Sequence, residues 1–178
     1  MKVFVSMFVL VAAAAAQSSP DPSKCPMHDE HMKKQAAAAS DHHAQVDSRG
    51  DHAMGFSHEK TAHHFRLYKD GGAIEVVVKD SADAANLAEI RGHLTQIAQM
   101  FNDGNFEVPM FIHATTVPGT VVMKDRRGKI AYRFEQTELG ARVRILTKDR
   151  KSLDAVHEFL RFQISDHRTG DIAAVSGF

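Results

Sequence analysis

The stretch HHFRLYKDGGAIEVVVKDSADAANLAEIRGHLTQIAQMF, residues 63–101, decides the fold. Apolar and polar residues alternate on both sides of Gly71-Gly72, which is typical of two strands joined by a tight turn. Asp80 or Ser81 can cap a following helix, whose predicted end is Gly104. Its apolar residues recur at helical spacing and are Leu87, Ile90, Leu94, Ile97 and Phe101. These patterns predict a hairpin followed by a helix.

The same order recurs nearer the C terminus. Alternating apolar positions on either side of Gly140 predict two more strands, in which Ile130, Tyr132, Phe134, Ala141, Val143 and Ile145 point to one side. Residues 149–168 then carry Leu153, Val156, Leu160 and Ile164 at helical spacing, and Gly170 follows. We therefore predict an α+β fold in which two hairpin-helix units form a four-stranded antiparallel sheet with both helices on one face.

The other face of this sheet is predicted to be solvated. Its charged residues are Glu75, Lys79, Arg133, Glu135, Arg142 and Arg144. Residues 105–127 connect the two units, and we expect a short strand and one helical turn within them. Long connections of this kind often carry functional residues.

The N terminus predicts export to the periplasm or the extracellular space. Met1-Lys2 precedes an apolar run, and Ala14-Ala15-Ala16 matches the small-residue site of signal peptidase, so residues 1–16 are a predicted signal peptide. The run of about 14 apolar residues is shorter than the roughly 20 that span a bilayer, so we expect no membrane association after cleavage. The remaining chain divides into a flexible His/Met-rich arm (17–55), a domain (56–171) and a tail (172–178).

Composition narrows the function further. Lys plus Arg and Asp plus Glu number 22 each, so the chain lacks the positive field of a nucleic-acid binder. The chain has one cysteine and 12 histidines. A single cysteine in an exported protein cannot form an internal disulfide, which leaves a free thiol, an intermolecular bridge or a soft metal ligand.

The arm contains one candidate metal site, in the stretch CPMHDEHM, residues 25–32. If this stretch is helical, Cys25, His28 and Met32 lie on one side of the helix. Thiolate, imidazole and thioether together favour Cu(I), whereas cysteine and histidine alone can bind Zn(II). Cys-Pro-Met-His also resembles the Cys-Pro-Met-His-Pro motif of bacterial copper and heavy-metal efflux proteins, with Asp29 in place of the final proline. The alternative is a solvated tether with incidental metal affinity.

The domain offers a second candidate site at His63, His93 and His113. His63 follows a cluster that begins at Met54, and strand alternation places its side chain on the side of Phe65. His93 lies beside the apolar stripe of the first predicted helix, and His113 lies in the long connection. We predict that these histidines bind copper or zinc. The alternative is that they only pack in the core, where nearby methionines fill gaps.

The last predicted helix holds two further histidines. His157 lies in its apolar stripe near Arg161, where it is either an acid/base group or a core histidine. His167 lies near the carboxyl end, where the helix dipole favours a protonated ring. Ten helical residues separate the two by about 15 Å, so they cannot share one ion.

Several stretches between residues 49 and 171 resemble a group of small exported bacterial proteins of unestablished function. The stretches are 54–56, 60–65, 71–76, 109–113, 140–145, 157–164, 166–167 and 169–171. Some relatives carry the label aspartate carbamoyltransferase. This sequence lacks the Ser-Thr-Arg-Thr carbamoyl-phosphate motif of that enzyme, and the mature chain is about half its usual catalytic length, so the resemblance implies an exported domain without that activity.

Together, these observations indicate an exported protein that binds copper, or less readily zinc, in a sequestration or delivery role. Its expected binding partners are the metal ion and a protein that takes part in metal delivery. One alternative is a small exported enzyme with a histidine-lined pocket near His93, His113 and His157. Another is an interaction module without catalysis. Neither a nucleophile elbow, a phosphate-binding loop nor a His-Glu-x-x-His pair occurs in the sequence.

Overall fold

The computed structural model describes the backbone of residues 26–176 and the side chains of residues 30–176. The described residues divide into two units, with the boundary between Ala38 and Ala39. The predicted signal peptide and Cys25 lie outside the described residues. None of the helices in the described part is both long and apolar enough to span a membrane.

Five helices and four strands make up the described chain. In order they are α1 (Pro26–Met54), β1 (Thr61–Tyr68), β2 (Gly71–Val78), α2 (Ala84–Asn102), α3 (Glu107–His113), α4 (Thr120–Asp125), β3 (Ile130–Thr137), β4 (Gly140–Thr147) and α5 (Arg150–Asp166). A 3-10 turn at Arg127–Lys129 precedes β3. The two predicted hairpins and the two long helices that follow them are confirmed.

The strands form one antiparallel sheet in the order β1-β2-β4-β3. In its register, Phe65 of β1 pairs with Ile74 of β2, which in turn pairs with Val143 of β4. Gly71 has a φ of +143°, and a Cβ there would collide with the carbonyl of Ile145, so the turn into β2 needs glycine. The tail covers part of the β1 edge, since the Ser176 backbone N–H donates to the Leu67 carbonyl over 2.9 Å.

Helices α2 and α5 pack on one face of this sheet, as predicted, and the core lies between the two layers. Helix α2 buries Ile90, Leu94, Ile97 and Phe101. Helix α5 buries Val156, Leu160 and Ile164 among others. The side-chain cap of α2 is Asp83, which accepts a hydrogen bond from the Asn86 backbone, and neither Asp80 nor Ser81 holds that position.

The prediction of a flexible arm over residues 17–55 is wrong for its second half. Residues 39–54 lie in α1 and belong to the same unit as the sheet. Their contact stripe is Val46, Gly50 and Met54, spaced four residues apart and all buried. Only two of these side chains are large and apolar, so the stripe produces no strong hydrophobic periodicity. The folded unit therefore begins at Ala39 and not at residue 56.

Two further predictions differ from the structure. Arg144, expected among solvated charges, is buried; its guanidinium donates to the Gly72 and Ile145 carbonyls, pairs with Asp70 and covers the Tyr68 ring. These bonds satisfy the charge away from water. The second difference concerns the connection between the two hairpin-helix units. It contains helices α3 and α4, and the described chain has no strand there, in contrast to the predicted short strand.

Candidate metal centre and histidine cavity

A cavity of about 60 Å³ lies where α1, β1, α2, α3 and α5 meet. Most of its wall is apolar. Its polar or polarisable lining residues are Met54, His63, His93, His113, Gln163 and His167. We call this space the histidine cavity. Its volume exceeds the 10–15 Å³ that one water molecule requires, so a few water molecules or one ion without its full hydration shell fit inside.

Aromatic contacts hold these rings in place. The His63 ring stacks on Phe65 at 6.4 Å and on His167 at 5.9 Å, measured between ring centroids. His167 also meets the His113 ring edge-on at 4.9 Å. The Nε2 atom of His63 lies 3.2 Å from the Met54 sulfur. Four side chains from α1, β1, α3 and the end of α5 thus form a contiguous group.

Burial keeps three of the rings neutral at physiological pH. It lowers the pKa of His63 to about 4, and repulsion from His93, His64 and His58 adds to this effect. Burial alone accounts for the pKa of His93, also about 4. The pKa of His167 falls to about 3 because of burial first and repulsion from His63 and His113 second. The expectation that the helix dipole favours a protonated His167 is therefore wrong: the ring packs against other rings and is not surrounded by water.

Asp166, the last residue of α5, connects the cavity wall with α1. One carboxylate oxygen accepts a hydrogen bond from His113 Nδ1 over 2.5 Å, and the other accepts one from His42 Nε2 over 2.9 Å. Burial alone would raise the pKa of Asp166, but these two hydrogen bonds hold it below its ordinary value. Asp166 therefore remains a carboxylate and fixes the orientation of His113.

His42, His43 and Asp166 form a group that we call the surface triad. One ligand atom from each residue lies within 4.8 Å of the other two. His43 Nδ1 also lies 3.2 Å from the Asp166 carbonyl oxygen. Ligand atoms on one tetrahedral ion are about 3.3–3.5 Å apart, so side-chain movements of about 1 Å would bring all three onto a metal. Among the described residues, this is the one group of three or more His, Cys, Asp or Glu side chains with such spacing.

The three histidines predicted to form a metal site in the domain come together only in part. His63, His93 and His113 all line the histidine cavity, but their ring nitrogens do not converge within the distance that the surface triad satisfies. His113 is the most deeply buried of the three, at 3% exposure. Its Nε2 lies 3.1 Å from the side-chain oxygen of Gln163. Met100 and Met110 pack against the hydrophobic core and do not line the cavity.

His157 lies apart from this cavity. Its Nε2 lies 2.9 Å from the Tyr68 carbonyl and 3.0 Å from the Gly71 carbonyl, and the residue is 7% exposed. A ring nitrogen held by two backbone oxygens is a donor that stabilises the β1-β2 turn. The predicted pocket that joins His157 with His93 and His113 is therefore wrong, and the interpretation as a core histidine is the one that fits.

The predicted arm site is only partly described. Cys25 and the side chain of His28 lie outside the described part of the structure. Met32 lies on α1 and is 52% exposed, so its sulfur is accessible.

Sequence reasoning missed the roles of His42, His43, Asp166 and His167. Asp166 lies 124 residues from His42 and 53 from His113, so no local spacing connects them. The available signal was the four-residue spacing of His42, Val46, Gly50 and Met54, which places His42 on the same side of α1 as the residues that pack against the domain.

Comparison of the chain with protein-family models, with curated proteins and with solved structures gives no match. The function is therefore inferred from the surface triad and the histidine cavity.

Proposed function

We propose that the protein binds a transition-metal ion on its folded unit, at the surface triad, in a sequestration or delivery role outside the cytoplasm. The observation that carries this proposal is the spacing of the three ligand atoms from His42, His43 and Asp166. Two imidazoles and a carboxylate from two helices give a partial coordination sphere, which water or a partner's side chain can complete. Such an open site suits an ion that is passed on.

The ligand chemistry favours Cu(II) or Zn(II) at the surface triad. Imidazole nitrogen binds both ions well, whereas Mg²⁺ and Ca²⁺ prefer sites made of oxygen ligands. Asp166 stays ionised, and His113 donates a hydrogen bond to its second oxygen. Hydrogen bonds of this kind commonly orient the ligands of metal sites. Copper and zinc are thus the proposed cargo, as the sequence also indicates.

The location of this activity rests on the sequence. The predicted signal peptide supports a location in the periplasm or the extracellular space. The predicted soft ligands Cys25, His28 and Met32 would add an accessory site that captures copper and supports transfer to a protein partner.

A paired substitution tests the proposal. We expect the double substitution His42→Ala and His43→Ala to weaken Zn(II) and Cu(II) binding at least about 100-fold, since removing even a group that merely orients a ligand costs 10–100-fold. Competition with a chromophoric chelator measures both affinities. His52→Ala, an exposed histidine on the same helix, is the matched control. Equal affinities for the double variant and the control would overturn the proposal.

One observation favours a second candidate, a small enzyme. The Asp166-His113 pair has the geometry of an oriented general base, because Asp166 accepts a hydrogen bond from His113 Nδ1 and the ring lines the cavity. Hydrolysis of an activated ester that His113→Gln abolishes would support this candidate. Hydrolysis at the buffer rate would count against it.

A further inference from the structure

We infer that the histidine cavity is a second metal site, specific for Cu(I), in which Met54, His63 and His167 supply the ligands. This inference extends the proposed metal handling to a second ion and a different oxidation state. It does not require the surface triad, because the two sites share no ligand: Met54, His63 and His167 belong to one, and His42, His43 and Asp166 belong to the other. The two sites can therefore fail separately.

The Met54-His63 contact provides the first step of the argument. A thioether sulfur and an imidazole nitrogen lie 3.2 Å apart on the cavity wall. The corresponding separation on a trigonal ion is about 3.7 Å, calculated from metal-nitrogen and metal-sulfur bonds of about 2.0 and 2.3 Å. A displacement of about half an ångström would therefore admit an ion between them.

His167 provides the third ligand. Two imidazoles on one trigonal ion have ring centroids about 5.5 Å apart, and those of His63 and His167 are 5.9 Å apart. Their planes are nearly parallel, at 6°, so one ring must rotate for both nitrogens to point at the ion. The structure records no hydrogen bond from the His167 ring to a described residue, so this rotation breaks none.

The surroundings select the metal. A thioether is a soft ligand that favours Cu(I) over Zn(II), and an apolar wall leaves little room for the waters that harder ions retain. The wall includes Phe65, Ile97 and Phe101 besides the ligands. Binding needs no oxidation or reduction: Cu(I) enters as Cu(I), and the proton on His63 Nε2 moves to Nδ1 and frees a lone pair.

The backbone around Met54 fits this role. Met54 is the last residue of α1 and is 9% exposed. Its terminal methyl group would lie 3.3 Å from a Cβ at position 50, so Gly50 leaves the room that the folded-back side chain occupies. A ligand on a helix end that packs against the sheet is held more precisely than one on a loop.

The test is Cu(I) titration of the full-length mature chain in competition with a Cu(I) chelator, together with X-ray absorption at the copper edge. The starting chain carries Cys25→Ser, Met27→Leu and Met32→Leu, so that the arm contributes no sulfur. We expect a sulfur scatterer in the Cu(I) complex, and we expect Met54→Leu to remove it and to weaken binding at least tenfold. Met123→Leu, the same change at a fully buried methionine on α4, is the control and should change neither result.

A second variant tests whether weaker Cu(I) binding arises from lost packing and not from a lost ligand. His63→Phe keeps an aromatic ring between Phe56 and Phe65 and should also weaken Cu(I) binding at least tenfold, whereas His64→Gln, on the opposite face of β1, should not. Absence of a sulfur scatterer in the starting chain, or equal Cu(I) affinities for Met54→Leu and Met123→Leu, would overturn the inference. Loss of Zn(II) binding in the surface-triad variant with Cu(I) binding intact would support two separate sites.

Discussion

Acidification of the metal-free protein from pH 6.5 to pH 4 is expected to lower its free energy of unfolding by at least about 3 kcal/mol. The cause is the histidine cavity, where burial lowers the pKa of His63 and His93 to about 4 and that of His167 to about 3. One pKa unit corresponds to about 1.36 kcal/mol, so a single ring could contribute roughly 3 kcal/mol. We expect the three together to contribute less than three times that value, because each ring retains some exposure to water.

The sign follows from proton binding. Below pH 6.5 the unfolded chain takes up protons on these histidines, whereas the folded chain resists until about pH 4. The unfolded state therefore binds more protons in this window, and stability is lost as the pH falls through it. The charged or titratable groups that act on His63 and His167 are His58, His64, His93, His113, Asp166 and Arg168.

Urea unfolding at several pH values, in the presence of a chelator, measures this effect. His63→Phe should flatten the pH dependence by removing one buried titrating ring while preserving its stacking position. His52→Ala, which replaces an exposed ring outside the cavity, should leave the pH dependence as it is in the natural chain. Equal unfolding free energies at pH 6.5 and pH 4 would show that the cavity rings take up protons freely.

Replacement of Asp166 by asparagine should have the largest effect on metal binding. The change removes the charged ligand of the surface triad and the acceptor that orients His113, so we expect Zn(II) affinity to fall at least about 100-fold. It also weakens two charge-assisted hydrogen bonds, and hydrogen bonds to charged groups contribute roughly 1.5–3 kcal/mol to stability. Calorimetric titration and urea unfolding of the same samples separate the two effects.

Asp51→Asn is the matched control for this substitution. Asp51 is a carboxylate on α1 that pairs with His58 over 3.0 Å, outside the surface triad. Its loss should leave Zn(II) affinity within about twofold of the natural chain, since it supplies no ligand. If Asp166→Asn retained the affinity of the control, the carboxylate would not be a ligand and the proposed site would be wrong.

The sequence predicts the sheet and the two long helices well because their signals are local. Alternation in β1 and β2 and the four- and three-residue spacing of Ile90, Leu94 and Ile97 depend only on neighbouring residues. Arg144 shows the limit of that reasoning. The alternation of residues in β4 correctly assigns Arg144 to the outer face of the sheet. The burial of its charge depends on contacts with Asp70 and with carbonyls of β2 and β4, which are distant in the sequence or invisible in its pattern.

The candidate site follows from the sequence less completely. Met54 and His63, which are nearby in the sequence, are in contact, and His93 and His113 line the same cavity. The surface triad needs α1 to return to the end of α5, across 124 residues. That return depends on Val46 and Gly50, which carry too weak a pattern to show that α1 packs at all.

The most direct test of metal binding by the folded unit is a crystal structure of the mature protein grown with Zn(II), with anomalous scattering recorded at the zinc edge. We predict a peak about 2.0–2.2 Å from a ring nitrogen of His42, a ring nitrogen of His43 and a carboxylate oxygen of Asp166. Peaks confined to other positions, with these three side chains free of metal, would contradict the proposal.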